Sequence, residues 1–288
     1  MAVSGSLDQE QIVEPAREIP IAGRSEVLVV GGGPAGVGAA LAAARTGAHT
    51  ALVEQYGCLG GMWTAGLLNP ILDHHGKGGI VAELLERLRE AGKLVEGPRA
   101  NFDTEYCKYM LDRMMVDAGV EVRLYRAAVE TICDQERVCG IVTESKSGRE
   151  ALLAQTVIDC TGDGDVCARA GVPYSKGREE DGLMQSVTLF FMLANVRYKQ
   201  MSFGSDIHNM LVQAARENGI AYDVPYKTPA FFDQPYPAHT IVQLAHMYGC
   251  DGTNADDLTR AIVEGRQQVQ DGVRVMQYVP ELAGVELV

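Results

Sequence analysis

The sequence predicts an α/β fold: a parallel sheet with an antiparallel β insertion, followed by a smaller α+β unit. Three observations predict it. Residues 27–30 form a continuous apolar run ending in Gly31-Gly-Gly-Pro-Ala-Gly36, as expected of a strand buried on both faces that runs into a glycine turn. An Ala-rich stretch to Gly47 then leads to Thr50-Ala-Leu-Val53, a short apolar run closed by Glu54. A third run, Val157-Ile-Asp-Cys160, enters another glycine turn, Thr161-Gly-Asp-Gly-Asp165. Buried strands joined through a helix need a crossover, which makes them parallel.

The first turn carries chemistry as well as topology. Gly31 allows the tight exit from the strand, Gly33 lets the backbone approach a pyrophosphate, and Gly36 lets the helix pack closely. A helix expected over 34–46 would aim unpaired N–H groups and a positive dipole end at phosphates. Pro34 stands at or near its first position, where a missing N–H costs little. Glu54 lies 18 residues beyond Gly36, placed to accept hydrogen bonds from a ribose 2′-hydroxyl and to repel a 2′-phosphate.

The remaining elements follow in order. Residues 55–78 read as a long glycine-rich loop whose apolar content suits wrapping a ligand. Helices are expected over 79–91, with Ile80, Leu84, Leu85 and Leu88 in one stripe, and over 104–118, capped by Asp103 and stopped by Gly119. A strand over 121–125 returns to the sheet. Strands over 127–133, 138–144 and 150–156 form the antiparallel insertion, read as a small antiparallel layer inserted between the parallel strands. The run at 157–160 and a short helix over 166–170 close the first unit. In the second unit, strands are expected over 186–194 and 239–246 and helices over 207–218 and 254–278. Asn254 caps the last helix and Pro280 ends it. The stretch 221–238, rich in proline and aromatics, reads as an ordered loop. The expected organisation is an arm over 1–20, a first domain over 21–172 and a second over 173–288.

Composition excludes several classes. A net charge of −13 disfavours a nucleic-acid partner, which needs clustered Lys and Arg. No apolar run is long enough to span a bilayer. Asp8, Glu10, Glu14 and Glu18 interrupt the first residues, so no signal peptide is expected. Seven cysteines without CxxC spacing point to free thiols in a reducing cytoplasm.

Four segments together resemble the FAD-dependent oxidoreductase family, related to the glutathione reductase and fumarate reductase flavoproteins. They are the turn at 31–36, Glu54 with Leu59-Gly-Gly-Met62, the helix start at Gly78-Gly-Ile80, and Ile158-Asp-Cys-Thr-Gly-Asp-Gly-Asp165. Asp251-Gly-Thr-Asn-Ala-Asp-Asp-Leu258 extends the resemblance into the second unit. The resemblance implies a Rossmann-like FAD-binding domain and a smaller α+β substrate domain. It places Gly31, Gly33, Pro34, Ala35 and Gly36 at the FAD pyrophosphate and Glu54, with Gln55 beside it, at the adenosine ribose. It places Gly60, Gly61 and Met62 along the pyrophosphate and ribityl chain, and Trp63, Thr64, Ala65 and Gly66 beside the isoalloxazine ring. The backbone of Ala128 or Val129 would contact adenine, and Thr161, Gly162 and Asp163 form a second cofactor turn.

The implied activity is that of a dehydrogenase or oxidase moving a hydride between a small organic substrate and flavin. The alternative is a non-catalytic or truncated FAD-binding subunit of a larger complex, and a third is an NAD-dependent enzyme on the same fold. Hydride removal from an alcohol or amine needs a proton acceptor, and His74 and His75 follow the flavin-lining loop. His239 and His246 flank a strand of the second unit; one of them could reach the substrate, and the structural alternative is a satisfied core histidine. No carboxylate cluster joins that pair, so no metal is expected. Flavoprotein disulfide reductases carry Cys-x4-Cys at this point, whereas here Trp63 stands opposite Cys58, which disfavours disulfide chemistry. Members of the family usually continue beyond a segment like 281–288, where this chain stops in an expected strand. A second polypeptide completing the flavin site, in a homo- or hetero-oligomer, is therefore expected if the chain is not a fragment or a shortened protein.

Overall fold

The computed structural model describes residues 12, 14–197 and 205–288. Most of the expected arm over 1–20 therefore lies outside the described residues. The first sheet has six strands in the order β6-β2-β1-β9-β8-β7. They are β1 (Ile21–Val30), β2 (Thr50–Val53), β6 (Glu121–Arg123), β7 (Ala127–Asp134), β8 (Arg137–Ser145) and β9 (Gly148–Asp159). Strands β6, β2, β1 and β9 run parallel, while β7 and β8 pair antiparallel at the other edge.

Apolar residues cover both faces of this sheet, as the continuous runs required. Val29 and Leu52 point into one core with α1 (Pro34–Arg45), α2 (Gly79–Glu90) and α3 (Thr104–Asp117). Leu28, Val30, Ala51 and Val53 point into the other, with Ile141, Leu152 and Val166. Val166 belongs to the short α4 (Asp165–Arg169).

Two expectations change here. The strands expected over 150–156 and 157–160 are one strand, β9. Its first half pairs with β8 and most of its length pairs with β1. The antiparallel insertion thus extends the main sheet at its β7 edge rather than lying between the parallel strands, because β9 and a lengthened β1 run on past the parallel core. The loop expected over 55–78 also holds regular structure: its Pro70–Ile71 (β3) joins Leu94–Val95 (β4) and Ala100–Phe102 (β5), which follow α2, in a three-stranded sheet of order β3-β5-β4. These strands are too short to leave a periodic signal.

The second sheet has the order β11-β12-β10-β13, built from β10 (Val187–Ala194), β11 (Ala230–Asp233), β12 (Thr240–Met247) and β13 (Glu286–Leu287). β11 lies inside the stretch expected to be a loop. Phe231 and Phe232 are strong strand formers, and an edge position tolerates the flanking prolines. One face of the sheet packs on α5 (Ser205–Glu217) and α6 (Ala255–Met276) through Phe191, Leu193, Val242, Leu244 and Met247. A Cβ on Gly265 would lie 2.9 Å from Met247 Cε, so this glycine lets α6 sit close to the sheet.

One buried carboxylate joins the three-stranded sheet to the segment that follows β11 in the second sheet. Asp103 Oδ1 accepts the N–H groups of Glu105 and Tyr106 and caps α3. Its Oδ2 accepts the Tyr236 hydroxyl, which comes from beyond β11, and an ammonium proton of Lys93 at 3.1 Å. Lys93 Nζ also reaches Tyr236 Oη at 2.9 Å. Burial pushes the Asp103 carboxyl up, but the bonds from Tyr236, Tyr106 N–H and Lys93 outweigh it and hold it below its ordinary value. A depressed carboxyl stabilises the fold fully above its unfolded value of about 4 and ceases to do so as pH falls through the folded value. Asp103→Ala should cost about 2 kcal/mol in urea unfolding at pH 7. The gap between variant and wild type should narrow below about pH 4; a gap independent of pH would refute the clasp.

Candidate functional site

The glycine turn is built by close contact. Gly31, at φ 102°, has no room for a side chain, since a Cβ would lie 2.2 Å from the Cys160 carbonyl oxygen. At Gly36 a Cβ would lie 1.8 Å from the Gly31 oxygen. β1, the start of α1 and the end of β9 therefore meet backbone to backbone. Gly33 differs: nothing lies within 4 Å of where its Cβ would be, so this side of the turn is open. Gly33 is the N-cap of α1, and no side chain caps the helix. Its first N–H groups are left to a ligand or solvent.

The loop after β2 docks on this turn. Gly60 N–H donates to the Gly32 carbonyl at 2.8 Å. Gly60 (φ 98°) and Gly61 (φ 49°) take left-handed backbone, and a Cβ on Gly61 would lie 3.0 Å from Gly33 Cα. A single 3₁₀ turn, Gly61–Trp63, follows. Met62 is 56% exposed, free for contact, whereas Trp63 packs edge-on against Phe102. Thr64 is buried and its hydroxyl donates to the Leu59 carbonyl at 2.5 Å, so its side chain shapes the loop and is not open to a ligand. Ala65 and Gly66 are exposed beside it.

Glu54 is buried, and its two oxygens accept Gly32 N–H at 2.7 Å and Tyr56 N–H at 2.8 Å. The carboxylate thereby ties the glycine turn to the end of β2, with lone pairs left over for a ribose. Gln55 is exposed next to it. Arg126 N–H donates to the Glu54 carbonyl, which brings the start of β7 alongside. Ala128 and Glu130 pair with consecutive residues of β8, so Val129 is the extra residue of a bulge.

The second turn is held by Asp159, which sequence reasoning passed over. It accepts Thr161 N–H, the Thr161 hydroxyl and Cys167 N–H at 3.0, 2.7 and 2.9 Å. Burial raises its carboxyl, and the bonds from Cys167 and Thr161 more than reverse this, leaving it below its ordinary value. Gly162 and Asp163 project from the turn, exposed.

The histidines separate. His75 is exposed and packs on the His74 ring, with centroids 4.1 Å apart. His74 Nε2 is buried with no hydrogen-bond partner. His239 is half-buried at the end of a turn, its Nδ1 2.9 Å from the Pro237 oxygen. His246 is buried, stacked on Tyr226. Among the described residues, no group of three or more His, Cys, Asp or Glu could hold a metal. All seven cysteines are unpaired.

The profile of the FAD dependent oxidoreductase family matches residues 26–288. The chain belongs to this family. FAD is its cofactor, and the docked turns, the uncapped helix start and the open side of Gly33 fit that group. Digeranylgeranylglycerophospholipid reductase 1 of Methanopyrus kandleri is 32% identical over 152 residues, covering 48% of this chain and 39% of the reductase. A geranylgeranyl bacteriochlorophyll reductase-like protein of Thermoplasma acidophilum shares the fold at TM-score 0.59 and 17% identity, over 92% of this chain and 64% of that one. The glycerol-3-phosphate dehydrogenase of Bacillus halodurans, solved with FAD, matches at TM-score 0.50 and 13% identity, over 85% and 53%. The chain thus spans less than two thirds of the length of each of these relatives. Among the described residues, no helix is long and apolar enough to cross a membrane.

Gly36→Ala should lose bound FAD and lower stability by about 1–3 kcal/mol, because a methyl group cannot share space with the Gly31 carbonyl. Gly38→Ala, where a Cβ meets nothing within 4 Å, should do neither. Flavin absorbance after gel filtration and urea unfolding check both; retention of FAD by Gly36→Ala would refute the contact.

Proposed function

We propose that this chain holds FAD for a dehydrogenase or oxidase that moves a hydride between a small organic substrate and the flavin. The docking of Leu59-Gly-Gly-Met62 on the Gly31–Gly36 turn carries the reading, since it aligns two glycine segments along one open side. In this reading Gly33, Pro34, Ala35 and Gly36 at the start of α1 receive the pyrophosphate, with Gly31 shaping the turn. Glu54 and Gln55 hold the adenosine ribose, and the bulged backbone at Ala128 and Val129 lies along adenine. Gly60, Gly61 and Met62 line the ribityl chain. Trp63, Ala65, Gly66 and the backbone of Thr64 form the strip beside the ring, and Thr161, Gly162 and Asp163 contact the cofactor from the β9 side.

Bound FAD supplies a two-electron acceptor. The chain's own part is to bind and orient, to exclude water and to manage protons. Of the loop pair, His74 has the free nitrogen, and we assign it a contact with the reacting end of the site; His75 packs behind it. A second polypeptide or a second copy contributes to the ring end in this reading, and the mass in solution tests it.

Purified protein should be yellow and release FAD on heating; a colourless protein that cannot take up FAD would sink the reading. His74→Ala should retain FAD, shift its visible absorbance band and slow its anaerobic bleaching by a reducing substrate at least ~10-fold. His75→Ala should change the bleaching rate less. An unchanged spectrum and rate in His74→Ala would remove His74 from the site.

A further inference from the structure

The second sheet has a face that its helices do not cover, and a β-bulge places a histidine on it. Directly opposed residues of neighbouring strands share a face. Met192 opposes Ile241, Phe190 opposes Gln243, and Phe232 opposes Ile241. Phe190, Met192, Phe232 and Ile241 pack together with Leu67. Leu67 belongs to the loop that begins at Gly60 on the glycine turn, so this face of the sheet looks toward the cofactor side of the molecule. The opposite face, carrying Phe191, Val242, Leu244 and Met247, is sealed by α5 and α6.

Regular alternation would send His246, three residues past Gln243, to the helix side. It does not go there. Leu189 opposes Ala245 while the next residue, Phe190, opposes Gln243, which leaves Leu244 as an extra residue. The bulge restores His246, opposite Thr188, to the face of Gln243 and Phe190. Gln268 of α6 secures the bend by accepting His246 N–H at 3.0 Å and donating to the His246 carbonyl at 3.2 Å. An orienting device on this scale is more than a buried packing position needs.

The ring is fixed at every side. Its face stacks on Tyr226, with centroids 3.7 Å apart and planes 9° apart. Nδ1 lies 3.1 Å from Ser186 Oγ, and Nε2 lies 3.3 Å from the Gln243 amide nitrogen. That amide nitrogen can only donate, so Nε2 is the acceptor and the ring proton sits on Nδ1, toward Ser186. Stacking covers one ring face, and Ser186 and Gln243 hold the two nitrogens. Burial lowers the His246 pKa, so the ring is neutral at pH 7. The phenols of Tyr226 and Tyr248 are its titratable neighbours, and Glu264 stands behind Gln268.

We propose that His246 is the proton acceptor for substrate oxidation, with Ser186 as its positioning residue and the apolar residues of the same face holding the body of the substrate. The inference rests on the flavoprotein reading given above. The substrate class is a small alcohol or amine with an apolar body. Its hydroxyl or amino group takes the long 3.3 Å place of Gln243 at Nε2. Bound FAD would supply the two-electron acceptor, so the substrate C–H bond would break with its electron pair leaving as hydride. The O–H or N–H proton passes to Nε2, and the C–O or C–N single bond becomes a double bond. The substrate loses two electrons and the flavin gains them. A neutral imidazole held by Ser186 suits this direction.

The test uses the FAD-loaded protein. Diethylpyrocarbonate treatment with peptide mapping should modify His246 in the native state, with a pH midpoint below the ordinary histidine value of about 6.5. Ser186→Ala should move that midpoint. No modification of native His246 between pH 6 and 7.5 would overturn the proposal, because a sealed core histidine behaves in that way. His246→Gln should keep FAD and its spectrum. A panel of small alcohols, α-hydroxy acids and amines, including benzyl alcohol, lactate and benzylamine, should bleach the wild-type flavin at least ~100-fold faster than that of His246→Gln. The acid limb of the wild-type rate profile should disappear in the variant. Equal rates, or an unchanged limb, would overturn the assignment while leaving FAD binding intact. Wild-type protein that binds FAD but is bleached by no member of the panel would sink the hydride-transfer reading, and the base with it. Protein that never binds FAD would instead fail the cofactor reading.

Discussion

The site depends on one steric constraint: β1, α1 and β9 converge where no side chain fits. The Gly31 oxygen occupies the space a Gly36 Cβ would need, and the Cys160 carbonyl occupies the space of a Gly31 Cβ. That contact sets the angle at which α1 leaves the sheet. It also places the 161–163 turn beside the 31–36 turn, because Cys160 N–H is bonded to the Val30 carbonyl at 2.7 Å. The 59–62 loop then docks on Gly32 and Gly33. Three glycine turns, distant in sequence, become neighbours through one close approach. A site for an extended, charged cofactor needs such backbone proximity, since N–H groups are the donors it uses.

Three carboxylates, two at the site and one in the clasp between sheets, work as ties. Glu54 receives Gly32 and Tyr56, Asp159 receives Thr161 and Cys167, and Asp103 receives the start of α3, Lys93 and Tyr236. Each sits at the end of a strand and takes backbone N–H groups that a turn would leave unpaired. The acidic balance of the chain is therefore partly structural. Charge-assisted bonds of this kind fix the turns that the glycines make possible, so flexible residues end in a definite shape.

Much of this was legible in the sequence because its signals are local. Val27 to Val30, the glycines and Glu54 each state their own requirement within a few residues, and the helices follow from stripes such as Leu84, Leu85 and Leu88. What was not legible depends on distant partners. β3, β4 and β5 exist only because they pair with one another, and β11 only because β12 offers an edge. Asp159 looked like part of a strand until Cys167 N–H folded back on it. Tyr236 lies 133 residues from its partner Asp103, and no local pattern announces that bond.

His246 shows the same limit in its sharpest form. Strand periodicity assigns alternate residues to alternate faces, and by that rule Gln243 and His246 face opposite ways. Only the register against β10 shows that Leu244 is extra, and only that extra residue brings the two side chains together. A bulge costs ladder hydrogen bonds, and here Gln268 reaches from α6 to replace two of them at the backbone of His246. The long last helix is thus tied to the orientation of one imidazole on the far side of the sheet. The turns of the first sheet are fixed through backbone contacts, whereas a side chain such as His246 needs a set direction. The second sheet provides that direction by departing from the alternation that otherwise builds it.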